Sequence, residues 1–100
     1  MHGSAPRFGW DPRKDAENRR KHGVSFEEAK TVFADEYALL LEDPDHSAAE
    51  DRFILLGLSA AFRVVLVVYT YREPADTIRI ISARKATRRE RQQYDTRWHR

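Results

Sequence analysis

The chain has 100 residues, 18 Lys or Arg against 16 Asp or Glu, 41% hydrophobic residues and no cysteine. That length suits a single domain, 1–100, with its core over about 8–98, because splitting it would leave neither half enough buried surface. Absence of cysteine excludes disulfides and thiolate metal sites. The strongest apolar run, Val64 to Val68, is strand-length and falls well short of a membrane span.

Met1 to Trp10 lacks the apolar stretch of a secretory signal, so a cytoplasmic protein is expected; the first residues, 1–5, are set aside as vector-derived or disordered. The formal net charge of +2 hides a segregation. Phe26 to Asp51 holds nine acids and one base, whereas Ile78 to Arg100 holds eight bases and two acids. Such asymmetry gives one surface that attracts phosphate and another that repels it or meets a basic partner.

Phe8 and Trp10 predict a short edge strand. Asp11-Pro12 opens a helix: Asp suits the N-cap, and Pro the first helical position, where a missing N–H costs nothing. The helix is expected to run through Arg20 or Lys21 and to stop at Gly23. Arg19, Arg20, Lys21 and His22 then lie where cations complement the negative helix end. Ser25 and Glu28 form a capping box for a second helix, whose stripe Phe26, Ala29, Val32 and Phe33 faces a core. Asp35-Glu36 ends it, Tyr37 to Glu42 reads as a strand, and Asp43-Pro44-Asp45-His46-Ser47 as a turn.

Three strands follow: Arg52 to Leu58, Arg63 to Tyr71, and Thr77 to Ala83. Their short connections favour antiparallel hairpins. The middle one carries Val on both faces, which predicts a central strand. In the last, Ile78 and Ile80 alternate with Arg79 and Ile81. Thr87 and Glu90 form another capping box, opening a basic helix with Tyr94 and Trp98 at i, i+4. The predicted order is β-α-α-β-β-β-β-α: an α+β domain, a small antiparallel sheet with two N-terminal helices and one C-terminal helix.

These residues resemble a known family. Trp10-Asp11-Pro12, Asn18-x-x-Lys21-His22-Gly23-Val24-Ser25-Phe26-Glu27-Glu28-Ala29 and Val32-Phe33-Ala34-Asp35 look like the front half of BrnT-type toxins. Asp43-Pro44-Asp45-His46-Ser47, Arg52-Phe53 and Ile78 to Thr87, continuing to Arg88-x-Glu90, supply the back half in order. The chain departs from the family pattern at Tyr69, where many members carry His. The resemblance implies a RelE-like fold and a bacterial type II toxin that cleaves RNA. It also implies a BrnA-like antitoxin with a DNA-binding part, so that operator DNA is met only through the antitoxin.

Metal-free RNA cleavage needs a base for the 2′-hydroxyl, cations at the phosphate, an acid for the leaving oxygen, and a platform for bases. The catalytic candidates are His22, Arg63, Tyr71 and Arg79. Imidazole exchanges protons near neutral pH, so His22 can be base or acid; otherwise it is a helix-end histidine held by the dipole. Arg79, in a mostly apolar strand, is costly unless it lines a cleft or pairs with an acid such as Asp43 or Glu50. Arg63 shares a strand face with Tyr69 and Tyr71, which offers stacking rings or a phenol donor.

Lys21, Tyr69, Arg84 and Arg88 are the RNA-binding candidates: the guanidinium forks of Arg84 and Arg88 match phosphate oxygens, the Lys21 ammonium can hold a phosphate, and the Tyr69 ring can stack on a base. Lys85, Arg88 and Arg89 alternatively meet the antitoxin or are solvated. Asp43, Asp45, His46 and Glu50 lack a strict ligand spacing, so neither metal nor cofactor is expected. Two non-enzymatic readings stand beside the ribonuclease. One is a nucleic-acid-binding module using the basic helix; the other is a partner-docking module using Tyr94 and Trp98.

Overall fold

The computed structural model describes residues 6–41, 52–72 and 76–98. In chain order they form β1 (Arg7–Gly9), α1 (Pro12–His22), α2 (Phe26–Thr31), a 3-10 turn (Val32–Ala34), β2 (Leu39–Leu41), β3 (Arg52–Leu58), β4 (Val64–Arg72), β5 (Thr77–Lys85) and α3 (Arg88–Trp98). The expected order and the α+β class hold. The five strands make one sheet, β1-β5-β4-β3-β2. The β2–β3, β3–β4 and β4–β5 pairs are antiparallel, whereas β1 lies parallel to β5. The Val-rich β4 is central, as its two-faced apolar pattern requires.

The helix ends follow their capping chemistry. The Asp11 carboxylate accepts from the Arg13 amide at 2.9 Å, and Gly23, at φ 69°, donates its amide to the Arg19 carbonyl at 2.9 Å. A left-handed C′ residue with this bond is what Gly supplies without steric cost. Ser25 Oγ accepts from the Glu28 amide at 3.0 Å. The reciprocal half of that box does not form, because the Glu28 carboxylate is taken by Arg63 and Ser59. At α3 both halves form: Thr87 Oγ1 accepts from the Glu90 amide, and Glu90 Oε1 from the Thr87 amide. The strand expected over Tyr37 to Glu42 starts later, at Leu39, since Asp35 winds the preceding residues into a turn by accepting from the Tyr37 and Ala38 amides. The turn expected at Asp43–Ser47 lies outside the described residues.

Each face of the sheet carries its own core. On one, α2 and the segment before it bury Val24, Phe26, Ala29 and Val32 against Val65, Val67, Ile78, Ile80 and Ala83. On the other, Tyr94 of α3 packs on Leu56 and Leu66. A bulge between β4 and β5 pairs Tyr69 with Ile80 but Val68 with Ser82, leaving Ile81 as the extra residue. That insertion is why the buried positions of β5 run Ile78, Ile80, Ala83 rather than in strict alternation. Gly57 lets the 3-10 turn approach β3: a Cβ there would sit 2.9 Å from both Ala38 Cβ and Val32 Cγ1.

Candidate functional site

β5 is hydrogen-bonded to β1 only over Thr77 to Arg79, so its outer edge beyond that needs another partner. Asn18 supplies it. The Asn18 Nδ2 donates to the Ala83 carbonyl at 2.7 Å and to the Val24 carbonyl at 2.8 Å, and Oδ1 accepts from the Ala83 amide at 3.2 Å. A buried carboxamide thus stands in for a strand residue and fixes α1 alongside β5. The last turn of α1 is thereby brought to the strand. Lys21 and His22, both exposed, line a groove of about 220 Å³ with Lys14, Glu17, Asn18, Ile81 and Ser82.

Arg79 precedes this groove on the same strand. At a strand rise of about 3.3 Å per residue, Ile81 and Ser82 lie roughly 7–10 Å further along. The register pairs Thr70 with Arg79 on one side and with Arg52 on the other. Paired residues share a face, so Arg52, Thr70 and Arg79 form a row across three strands. It lies on the face that Tyr94 covers at the opposite end. Thr70 Oγ1 in the middle of the row is buried and makes no hydrogen bond among the described residues. Arg79 itself is exposed, so the alternative of a buried pairing with an acid is not what holds it. It lies at the end of this face away from Tyr94, and Gly9 beside it in β1 carries no side chain. The acids Asp43 and Glu50, weighed as its partners, lie outside the described residues.

Arg63 is committed elsewhere. Its guanidinium meets both oxygens of Glu28 at 2.6 and 2.7 Å and donates to the Gly23 carbonyl at 2.7 Å. The pair holds the Glu28 carboxyl below its ordinary range, through the bonds from Arg63. Arg63 therefore grips the corner that follows His22 and is placed to position it rather than to meet phosphate. Tyr71 pairs with Ile78, so it lies on the opposite face from Arg79, and its hydroxyl donates to Asp76 at 2.5 Å. Tyr69 is packed between Phe33 (centroids 4.9 Å, edge-on) and Phe53 (5.5 Å, stacked), and burial pushes its phenol pKa up. It extends the core.

Arg84 makes a two-pronged pair with Glu90 at 2.8 and 2.9 Å, which joins β5 to the first turn of α3. Arg84 and the Thr87 bonds bring the Glu90 carboxyl down to about 2. Arg88 is exposed on the first turn of α3. Of the eight candidates, then, Lys21 and His22 at the end of α1 and Arg79 on β5 lie along that strand, Arg84 sits further along it but is tied to Glu90, Arg63 supports the corner after His22, and Tyr69, Tyr71 and Arg88 lie apart. Arg52 was missed as a site residue. The signal for it is its pairing through Thr70 to Arg79, a register across three strands that no local residue pattern spells out. Among the described residues no three His, Cys, Asp or Glu side chains gather as a metal-holding group, and no helix is long and apolar enough to cross a membrane.

The model of a family described as the ribonuclease toxin BrnT of a type II toxin-antitoxin system matches residues 10–90. Among solved structures, the 1.1 Å crystal structure of the Brucella abortus ribonuclease toxin BrnT has a similar fold. Its TM-score is 0.63 at 20% identity, covering 83% of this chain and 99% of that one. No curated protein matches the chain.

Proposed function

The chain belongs to the BrnT family of ribonuclease toxins of type II toxin-antitoxin systems, and from that premise we propose that it cuts RNA without a metal, with β5 as the track that holds the substrate strand. In this reading neutral His22 takes the proton of a 2′-hydroxyl as that oxygen bonds to the adjacent phosphorus. The bond from phosphorus to the 5′-oxygen breaks, and the 5′-oxygen leaves with a proton from solvent. The products are a 2′,3′-cyclic phosphate and a 5′-hydroxyl. Arg79 holds the phosphate oxygens as their charge concentrates, with Arg52 two strands away in the same row and Lys21 on the flanking phosphate.

The observation that carries this reading is the alignment on β5: the groove of Lys21 and His22 borders Ile81 and Ser82, and Arg79 projects a few residues earlier on the same strand. A basic run of that length matches successive phosphates of a single strand. Membership in the family carries an antitoxin partner. We take that partner to be BrnA-like, reaching operator DNA on the complex's behalf, and the outcome of cleavage in the cytoplasm to be arrested translation. The test is the chemistry of the cut ends. Fragments bearing a 2′,3′-cyclic phosphate and a 5′-hydroxyl support the mechanism, and fragments bearing a 5′-phosphate overturn it.

A further inference from the structure

The hairpin between β3 and β4 presents an aromatic ring that neither core uses. Phe62 is 86% exposed and adopts φ 62°, the left-handed region that a side chain with a Cβ rarely enters. The position is one that hairpins usually give to Gly. The turn beneath it is tightly held. The Phe62 amide donates to the Ser59 carbonyl at 2.9 Å, the Ser59 amide to the Arg63 carbonyl at 2.9 Å, and the Ala60 amide to Thr31 Oγ1 at 2.8 Å. Ser59 Oγ is tied in turn to Glu28 at 2.7 Å. A ring kept in a costly conformation, on a braced turn and facing solvent, is a display that packing does not explain.

The ring borders a groove of about 460 Å³ lined by Phe62, Arg63, Val64, Lys85, Ala86, Arg91 and Asp95. Neither Lys85 nor Arg91 makes an ion pair among the described residues. Lys85 is the last residue of β5, the strand whose middle carries the candidate cleavage centre. A single ring beside two cations is an arrangement by which proteins hold one unpaired nucleotide, the base on the ring and the phosphate on the cations, and the lone Asp95 carboxylate leaves the groove's lining net positive. A docked protein segment would call for a contiguous apolar patch instead, and here Val64 and Ala86 are only partly exposed.

We propose that the Phe62 groove is a second RNA subsite, stacking an unpaired base on Phe62 and taking its phosphate with Lys85 and Arg91, so that the substrate runs from the cleavage centre along β5 to its end. This rests on the ribonuclease reading above and adds to it where the substrate is gripped away from the cut.

The probe is a short fluorescein-labelled oligouridine, 2′-O-methylated so that it resists cleavage, titrated in anisotropy with the wild type and with Phe62→Gly, Phe62→Tyr and Lys85→Glu. Phe62→Gly suits the left-handed position, so it should fold at least as stably as the wild type. It should nevertheless bind the oligonucleotide roughly tenfold more weakly. Phe62→Tyr should bind as the wild type does, and Lys85→Glu should bind weakly with a shallower salt dependence. On cleavable RNA, Phe62→Gly should raise KM and leave kcat unchanged. Wild-type affinity in Phe62→Gly, with cleavage intact, would overturn the subsite and leave the ribonuclease reading standing. The same result with loss of a co-expressed antitoxin would make the groove a protein dock and overturn the subsite likewise. A wild type that neither binds nor cuts RNA would remove both.

Discussion

Asn18 and Ala83 are paired as two strand residues would be, through the carboxamide of one and the backbone of the other, with Nδ2 to carbonyl at 2.7 Å and amide to Oδ1 at 3.2 Å. The pairing sets where the end of α1, and hence His22, meets β5. Asn18→Ala would leave the Ala83 amide and two carbonyls without partners in a dry place. We expect a loss of about 3 kcal/mol, on the order of 1 kcal/mol for each orphaned bond. Urea unfolding reads it as a lower midpoint at unchanged slope.

Gly57→Ala tests the approach of the 3-10 turn to β3. Its new methyl meets two side-chain carbons at 2.9 Å and the Asp35 carboxylate at 3.0 Å. Those groups are themselves anchored, since Asp35 accepts from the Leu58 amide and the Tyr94 hydroxyl. Overpacking of this kind costs roughly 1–3 kcal/mol, and the melting temperature should fall accordingly. An unchanged value would mean that the turn yields freely.

The Arg84–Glu90 pair should mark the acid limb of stability. Glu90 in the folded chain has a carboxyl pKa of about 2 against an ordinary value of 4.5. Between those values the unfolded chain binds more protons than the folded one. The contribution is therefore complete above about 4.5 and is lost as pH falls through about 2. Glu28, lowered by Arg63, adds in the same direction. Glu90→Gln should be less stable at neutral pH and should lose less stability than the wild type on acidification through that window. Parallel acid titrations of the two proteins followed by circular dichroism compare them directly.

Much of the fold was legible in the residues. Caps at Asp11, Gly23 and Thr87 fixed three helix ends, because a cap is a local bond between near neighbours. Alternation likewise located β3, β4 and β5 within a residue or two. The candidate site was legible in part. His22 and Arg79 stood out by residue type, but what joins them is the Asn18 bridge across 65 positions and a bulge at Ile81, and neither leaves a local trace. The tie on Arg63 was hidden for the same reason: its partner Glu28 lies 35 residues away, and their ion pair becomes evident only when the helix is laid on the sheet.

His22→Ala and Arg79→Ala separate chemistry from structure. Both side chains are exposed and neither holds an ion pair among the described residues, so melting temperatures should stay near the wild-type value. Cleavage should fall by roughly 100-fold or more in each, the scale for losing a general base or a transition-state cation. Arg63→Ala should instead lower stability, with activity reduced through the corner it supports. Normal cleavage by Arg79→Ala would move the phosphate site off β5.

The most direct measurement is cleavage of a defined single-stranded RNA by the purified chain in EDTA, beside the same RNA carrying one 2′-deoxy nucleotide at the mapped cut. Cutting that persists in EDTA and stops at the deoxy position is the result expected of attack by the 2′-hydroxyl with only side chains assisting. Cutting abolished by EDTA, or passing through the deoxy position undiminished, would contradict it.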